Sequence, residues 1–354
     1  MAKHLVSPDR FQHKSIIEDI NDADIQIYPD TEETAMKTKA AILTEPGRFE
    51  LQERELHVKP GEVLIKVAVC GLCNWELNHF KGLLGETPMT LGHEWAGTVE
   101  AVGEGVTTLH AGDKVAVLPE FLEGFAQYAV VEAERCFLLN DDIDVRKSFL
   151  EPLKCIVTVL KAAAPKAGDC GVIVGCGPMG LWCLQGLKAN MLTHLIAVDI
   201  DDEKLEMAKR MGATDVVNSR TENAAQRIAE LTGGHLADFV IEGTGLPQLM
   251  ETCADYIMTG SGRLCIMSYY ERNIKELNFK KFLDKGTTIY CPHPGSEKDP
   301  LDAARRAADL INHHIFVQDE LITHTFRLDE IQEAFETLAN KPKGFIKGVV
   351  YPND

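Results

Sequence analysis

One stretch, residues 171–199, constrains the fold of this chain more than any other. A β-branched run at 172–174 precedes the glycine-rich turn GCGPMG at 175–180, and Leu181, Leu184 and Leu187 then recur at helical spacing. A second apolar run, 195–198, ends at Asp199. A glycine-rich turn alone occurs in many α/β proteins. The order strand, turn, helix, strand and acid favours a dinucleotide-binding domain with a doubly wound parallel sheet.

Each glycine of this turn has a mechanical reason. Gly175 allows the tight turn, Gly177 lets the backbone approach a pyrophosphate, and Gly180 lets the helix pack closely on the strand. The helix N-terminus favours the anion. Asp199 can bind the two ribose hydroxyls and repel a 2'-phosphate, which favours NAD over NADP. The predicted cofactor-binding residues of this unit are Gly175, Gly177, Pro178, Met179, Gly180 and Asp199.

Charge and composition exclude several classes of function. The formal net charge of -18 argues against nucleic acid as a partner, because phosphate binding needs a basic surface. No apolar run approaches membrane-spanning length, and the N-terminus resembles neither a signal nor a transit peptide. We therefore expect a cytoplasmic protein that binds no membrane, with its ten cysteines reduced.

Residues 1–36 are predicted to form an N-terminal extension. They are polar and acidic with scattered isoleucines, so the segment is either loosely docked or an arm that packs on another subunit. From residue 37 onwards, short strands alternate with Pro-Gly and Gly-Asp turns, which predicts a mostly β domain before the dinucleotide unit. Beyond Asp199, Asp202 is predicted to cap a helix at 203–211 that ends at Gly212.

The β domain carries a candidate metal site. Cys73 lies in CGLCN, and His93 and Glu94 lie in GHEWAG. Thiolate, imidazole and carboxylate are the ligands that Zn²⁺ selects. Cys70 and Cys73 could instead be a redox pair or two buried thiols, and His93 taken alone could be a structural histidine.

Over residues 38–350 the chain resembles the zinc-dependent medium-chain alcohol and polyol dehydrogenases. The resemblance rests on VCGLC, GHEWAGTVEAVGEGV, the GDKV turn, GFAQYAVV and VGCGPMG, which occur in the family's order. It implies a GroES-like, mostly β catalytic domain around a Rossmann domain, with NAD in the cleft beside a catalytic zinc. The implied domains are 37–159 with 297–354 for the catalytic part, and 160–296 for the NAD-binding part.

The resemblance also implies roles for individual residues. Cys73 and His93 match metal ligands, and Glu94 matches a carboxylate beside the metal that can enter its shell. Glu151, in LEPL, matches a position that ligates zinc or hydrogen-bonds its water in polyol dehydrogenases, whereas simple alcohol dehydrogenases have cysteine there. Glu76 replaces an aspartate that orients the liganding histidine.

Two lysines match cationic positions of the family. Lys204 corresponds to a cation near the adenosine ribose, and Lys347 to one near the pyrophosphate. The cysteine-rich lobe that holds the family's structural zinc is missing after the GDKV turn, so we expect a single, catalytic zinc.

Two positions depart from the family pattern. Trp75 stands where most members have Ser or Thr, and Asn78 where many have His. An indole N–H cannot accept the alcohol proton. The proton would then leave through zinc-bound water with Glu94 or Glu151, or through His79. Alternatively, Trp75 only narrows the pocket or stacks on a sugar ring.

The sequence therefore predicts an NAD-dependent zinc oxidoreductase of secondary alcohols, acting on a polyol, cyclitol or sugar, and assembled as a homodimer or homotetramer. The alternatives within the family are an aldose 1-dehydrogenase or a carbonyl reductase. An alternative from another functional class is a non-catalytic NAD(H)-binding protein. Trp75 and Asn78 favour this alternative, whereas the metal ligands argue against it.

Overall fold

The computed structural model describes residues 36–270, 274 and 276–354. The predicted N-terminal extension lies outside the described residues except for Met36, which already begins the first strand. Short apolar runs separated by glycine turns form the amino-terminal β structure, as the sequence predicts. Its elements are β1 (Met36–Glu45), β2 (Arg48–Leu56), β3 (Glu62–Gly71), α1 (Asn74–Phe80), β4 (Met89–Thr90), β5 (Trp95–Val102), β6 (Lys114–Val117), β7 (Tyr128–Glu132) and β8 (Cys136–Leu138).

Strand β3 is the centre of this region because it is apolar along most of its length. It pairs antiparallel with β5 and β7, and β5 continues through β6 to β8. Strand β1 pairs with β2 and β4 in a separate three-stranded sheet. Helix α2 (Glu151–Ala163) then leaves the β region with Pro152 in its first turn, where a missing N–H costs nothing.

The next part of the chain alternates strands and helices. Its elements are β9 (Cys170–Val174), α3 (Pro178–Leu187), β10 (His194–Asp199), α4 (Asp202–Met211), β11 (Asp215–Asn218), α5 (Ala224–Leu231), β12 (Phe239–Glu242), α6 (Pro247–Tyr256), β13 (Arg263–Ile266), α7 (Lys280–Lys285) and β14 (Thr288–Tyr290). The six strands are parallel in the order β11-β10-β9-β12-β13-β14. The predicted doubly wound sheet is confirmed, and its order reverses between β9 and β12, where such folds bind ligands.

The last segment comprises α8 (Pro300–Asn312), β15 (Ile322–Arg327), α9 (Ile331–Asn340) and β16 (Lys347–Tyr351). Strand β16 joins the first region, because Val349 and Val350 pair with Gly71 and Cys70 of β3. Helix α9 is preceded by a short 3-10 helix, Leu328–Glu330. Its apolar stripe is buried against the β region.

One continuous apolar core joins the β region to the parallel sheet. Helix α2 packs on α3, α8 and β13, and its Leu153 and Ile156 are fully buried. The core cluster also includes Val69 and Ala96 of the β region and Ile173 of the parallel sheet. Among the described helices, none combines the length and hydrophobicity that a bilayer span requires.

The cap of α4 differs from the sequence prediction. The carboxylate of Asp201, not that of Asp202, accepts a hydrogen bond from the Glu203 N–H at 2.9 Å. Asp202 is the first helical residue, and its Oδ1 accepts from the Asn218 amide at 2.6 Å. Either aspartate suits an N-cap, so only the backbone conformation distinguishes them. Gly212 does end the helix, with φ at 121°.

We expect Asp201→Ala to lower the free energy of unfolding by about 1 kcal/mol, because it removes the only side-chain acceptor at the start of α4 among the described residues. Urea unfolding followed by circular dichroism measures the loss. Asp201→Asn retains an acceptor and serves as the control. Equal losses in the two variants would contradict the cap assignment.

Candidate metal centre and cofactor site

Strand pairing brings the predicted metal ligands together. Cys70 of β3 pairs with Trp95 of β5, so Cys73 follows the end of one strand while His93 precedes the start of the other. Between them, the Gly71 N–H donates to the Glu94 carbonyl at 2.7 Å. The register of two neighbouring antiparallel strands therefore fixes the approach of two loops.

The resulting cluster contains three ligand atoms of different types. One ligand atom each of Cys73, His93 and Glu94 lies within 4.8 Å of the others. Burial, together with the charge of Glu94, raises the pKa of the Cys73 thiol, whereas its hydrogen bond with His93 acts in the opposite direction. This spacing and this donor chemistry suit a small, borderline-soft cation.

Two glycines permit this close approach. A Cβ on Gly71 would lie 2.3 Å from Oε2 of Glu94. Gly92 has φ at 108°, and a Cβ there would lie 2.5 Å from the Phe125 backbone nitrogen. Larger residues would therefore displace either the Glu94 carboxylate or the loop that carries His93.

Glu76 orients His93 from behind. It is fully buried on α1, and its Oε1 accepts a hydrogen bond from the Gly92 N–H at 2.6 Å. The same oxygen lies 2.9 Å from Nδ1 of His93. Burial lowers the pKa of His93, but Glu76 and Cys73 outweigh it and hold that pKa above its usual value. Because Nδ1 faces Glu76 at this distance, Nε2 is the ring nitrogen left for a ligand.

Glu151 approaches the cluster from the first turn of α2. Its Oε2 lies 3.8 Å from Nε2 of His93, so this oxygen faces the candidate ligands. Its Oε1 lies 3.2 Å from the Lys154 ammonium and accepts a hydrogen bond from Sγ of Cys155 at 3.6 Å. Burial raises the pKa of Glu151, but the charges of His93 and Lys154 outweigh it and leave the pKa below its usual value.

Lys347 contacts the same cluster. The resemblance predicts that Lys347 lies near the pyrophosphate. In the structure, its ammonium instead forms a hydrogen bond with the Glu94 carboxylate. The ammonium also donates to the Leu72 carbonyl at 2.9 Å. Burial lowers the pKa of Lys347, but the charge of Glu94 outweighs it and leaves that pKa above its usual value. Burial also raises the pKa of Glu94, which the charge of Lys347 opposes.

The charges of the cluster fit a divalent cation. At low exposure, Glu94 pairs with Lys347 and Glu151 with Lys154, whereas Glu76 lies against His93. In the ligating state, with Cys73 as thiolate and His93 neutral, two negative charges remain that the lysines do not balance. Buried uncompensated charge is strongly unfavourable, and a divalent ion removes that cost. The residues present therefore fit zinc.

Helix α1 carries Trp75 and Asn78, the two residues that depart from the family pattern, together with His79. The Trp75 ring lies edge to face with both His79 and His93, at centroid distances of 4.5 and 5.4 Å. Asn78 and His79 are buried. Burial lowers the pKa of His79. The indole of Trp75 therefore contacts both imidazoles.

The glycine turn has the geometry that a dinucleotide requires. Gly175 has φ at 97°, and a Cβ on Gly180 would lie 2.0 Å from the Gly175 carbonyl oxygen. Gly177 precedes α3, and a Cβ there would meet nothing within 4 Å, so its front is open. Pro178 and Met179 form the first helical turn at this opening, partly exposed. The open glycine and the helix N-terminus together suit a pyrophosphate.

Asp199 is the last residue of β10 and lies next to this turn. Its Oδ2 accepts from the Cys176 N–H at 2.7 Å, and its Oδ1 accepts from the Ile200 N–H at 2.7 Å. These bonds fix the carboxylate beside the glycine turn, where a ribose would lie. Lys204 lies in the first turn of α4, partly buried.

Sequence reasoning missed Lys154 and the Glu94–Lys347 pair. Lys154 stands three residues after Glu151, and this spacing on a helix would have indicated contact. The partners of the second pair are 253 residues apart, so no local signal could have found them.

Comparison with known families matches both halves of the described chain. Residues 59–141 match the alcohol dehydrogenase GroES-like domain. Residues 178–309 match the zinc-binding dehydrogenase domain.

Individual relatives cover most of the chain. It is 31% identical over 341 residues to (R,R)-butanediol dehydrogenase of Bacillus subtilis, covering 84% of this chain and 95% of the relative. It is 27% identical to sorbitol dehydrogenase of the same organism, covering 89% and 97%. The crystal structure of galactitol-1-phosphate dehydrogenase from Escherichia coli is similar with a TM-score of 0.77 at 26% identity, covering 89% of this chain and all of that one.

We expect Glu76→Gln to lower zinc affinity about tenfold, because it removes the charge that increases the basicity of His93. Competition with a chelating dye measures the affinity. Glu50→Gln, on the exposed face of β2, is the control. Unchanged affinity in Glu76→Gln would show that this carboxylate does not support the metal.

Proposed function

Because the chain belongs to the zinc-dependent medium-chain dehydrogenase family, we propose that it is an NAD-dependent oxidoreductase of secondary alcohols. Its substrate class is polyols, cyclitols or sugars. The observation that carries this proposal is the cluster of Cys73, His93 and Glu94 within 4.8 Å. Names of similar proteins, such as butanediol and sorbitol dehydrogenase, support the reaction class.

Helix α2 connects the metal centre with the parallel sheet. It begins at Glu151 beside His93, and it packs on α3 and β13 of the dinucleotide-binding half. A substrate at the metal centre and a dinucleotide on the parallel sheet would meet near the first turn of α2. Such positioning accounts for a large part of enzymatic rate enhancement.

We assign Cys73, His93 and Glu94 to the metal, with Glu151 as the further ligand or as a partner of the substrate hydroxyl. When bound, zinc supplies Lewis acidity toward a hydroxyl group, and NAD supplies the hydride acceptor. Glu76 holds the His93 ring through Nδ1. Lys347 and Lys154 balance the carboxylates of Glu94 and Glu151, so the site stays ordered when its charge changes.

Glu151 also favours a polyhydroxylated substrate. With Oε1 held by Lys154 and Cys155, its Oε2 remains free to accept a hydroxyl next to the reacting one. Burial by the apolar ends of β3 and β5 keeps water from most of the cluster. A second hydroxyl group on the substrate would provide the hydrogen bond that Glu151 no longer receives from water.

We propose NAD as the cofactor, one zinc per subunit, and a homodimer or homotetramer. Asp199 supports NAD because its carboxylate lies beside the open glycine turn and would repel a 2'-phosphate. Strand β14 supports self-association, because it is the outer strand of the six-stranded sheet and can pair with a further strand.

We expect Cys73→Ala to abolish NADH production from every polyol that the zinc-loaded protein oxidises, because it removes the thiolate ligand. Absorbance at about 340 nm follows turnover over a panel of polyols, cyclitols and sugars. Cys136→Ala, in edge strand β8, is the control for loss of a thiol. Retained turnover in Cys73→Ala would refute the metal assignment.

We expect Asp199→Asn to lower kcat/KM for NAD about tenfold and to lower it less for NADP, because the substitution removes a charge but keeps the shape. Steady-state kinetics with both cofactors measure the ratio. Asp238→Asn, at the opposite end of the parallel sheet, is the control. An unchanged cofactor ratio would contradict the role of Asp199.

A further inference from the structure

Trp75 is exposed near the start of a helix whose later residues are buried. The residues that follow it in α1, Glu76 to Phe80, are all buried, whereas Trp75 is 40% exposed. The two other tryptophans of the chain, Trp95 and Trp182, are at most 1% exposed. A large aromatic surface left open beside a buried polar cluster needs an explanation, because it gains nothing from water.

The position and orientation of this indole are fixed. It lies two residues after Cys73, and its ring is 5.4 Å from that of His93 at an interplanar angle of 87°. The ring of His79, which is buried, lies 4.5 Å from it at 73°. Contacts with both imidazoles therefore hold the indole before any ligand arrives. A preorganised surface binds with little loss of conformational freedom.

The chemistry around Trp75 combines one apolar plane with several charged oxygens. Glu94 and Glu151 are hydrogen-bond acceptors on the side of His93, and Lys154 is a donor. A ligand that fits both the indole and these charged groups must have a flat apolar face and polar groups around its edge. Ring-shaped polyols have this form, since their C–H bonds can face an aromatic plane while their hydroxyls point outward. A linear polyol has no persistent apolar face.

We infer that Trp75 is a stacking platform that selects cyclic polyhydroxy substrates, cyclitols or pyranose sugars, over linear polyols. The inference rests on the proposed function, because it places the ring of the substrate over the indole while one of its hydroxyls reaches the metal centre. It also gives a reason for the loss of the family's hydroxyl at this position.

Protection of the indole tests binding without turnover. In the zinc-loaded protein before NAD is added, so that no turnover occurs, acrylamide quenches mainly Trp75, because the other two tryptophans are buried. We expect myo-inositol and methyl glucopyranoside to reduce this quenching, and sorbitol at the same concentration to reduce it less. Trp75→Phe removes the quenchable signal and identifies its source. Equal protection by sorbitol, or stronger protection by benzyl alcohol, would overturn the inference.

Kinetics provide the second test. Trp75→Leu should raise the ratio of KM for myo-inositol to KM for sorbitol about tenfold, equivalent to about 1.4 kcal/mol. Trp75→Phe keeps an aromatic plane and should restore most of the wild-type ratio. An unchanged ratio in Trp75→Leu would overturn the inference.

The outcomes separate this inference from the proposed function. Oxidation of sorbitol without protection by either ring compound would overturn the stacking role and leave the dehydrogenase in place. Protection by ring compounds without oxidation of any alcohol would support the platform and refute the proposed reaction. Neither protection nor turnover would overturn both.

Discussion

The antiparallel pairing of β3 with β5 is the interaction on which the metal centre depends. It places Cys70 opposite Trp95, and the loops that follow and precede these residues carry Cys73 and His93. β16 pairs with the end of β3 at Gly71, and so brings Lys347 to Glu94. One strand thus positions residues from three separate segments of the chain. A shift of one residue in its register would turn each of these side chains to the other face.

The buried charges are the second constraint. Carboxylates at Glu76, Glu94 and Glu151 would be unfavourable in an apolar interior, yet each has a specific partner. Lysines satisfy two of them, whereas Glu76 is held by the Gly92 N–H and lies against His93. With Cys73 as thiolate and His93 neutral, negative charge remains that favours a cation, so metal binding and proton release at this site are coupled.

The cofactor half of the site depends on backbone geometry rather than on charge. Gly175, Gly177 and Gly180 differ in what a side chain would meet: a neighbouring loop, open space and a carbonyl oxygen. Asp199 is fixed by the Cys176 N–H of the same turn and by the N–H of the residue that follows it, Ile200. Helix α2 then joins this half to the metal centre through a shared core, so the two halves are held at a defined separation.

Local order in the sequence determined the strand–turn–helix unit at 170–199, the parallel sheet and the pattern of strands around the CxxC and GHE motifs, because periodicity and glycine placement act over a few residues. Polar residues hide such a pattern in β2 and β15. The sequence prediction assigned the cap of α4 to Asp202, because two adjacent aspartates have the same propensity. Only the tertiary structure decided that Lys347 pairs with Glu94 and that the exposed Trp75 lies against His93. These contacts join residues whose partners are set by strand register and helix packing, which no local pattern encodes.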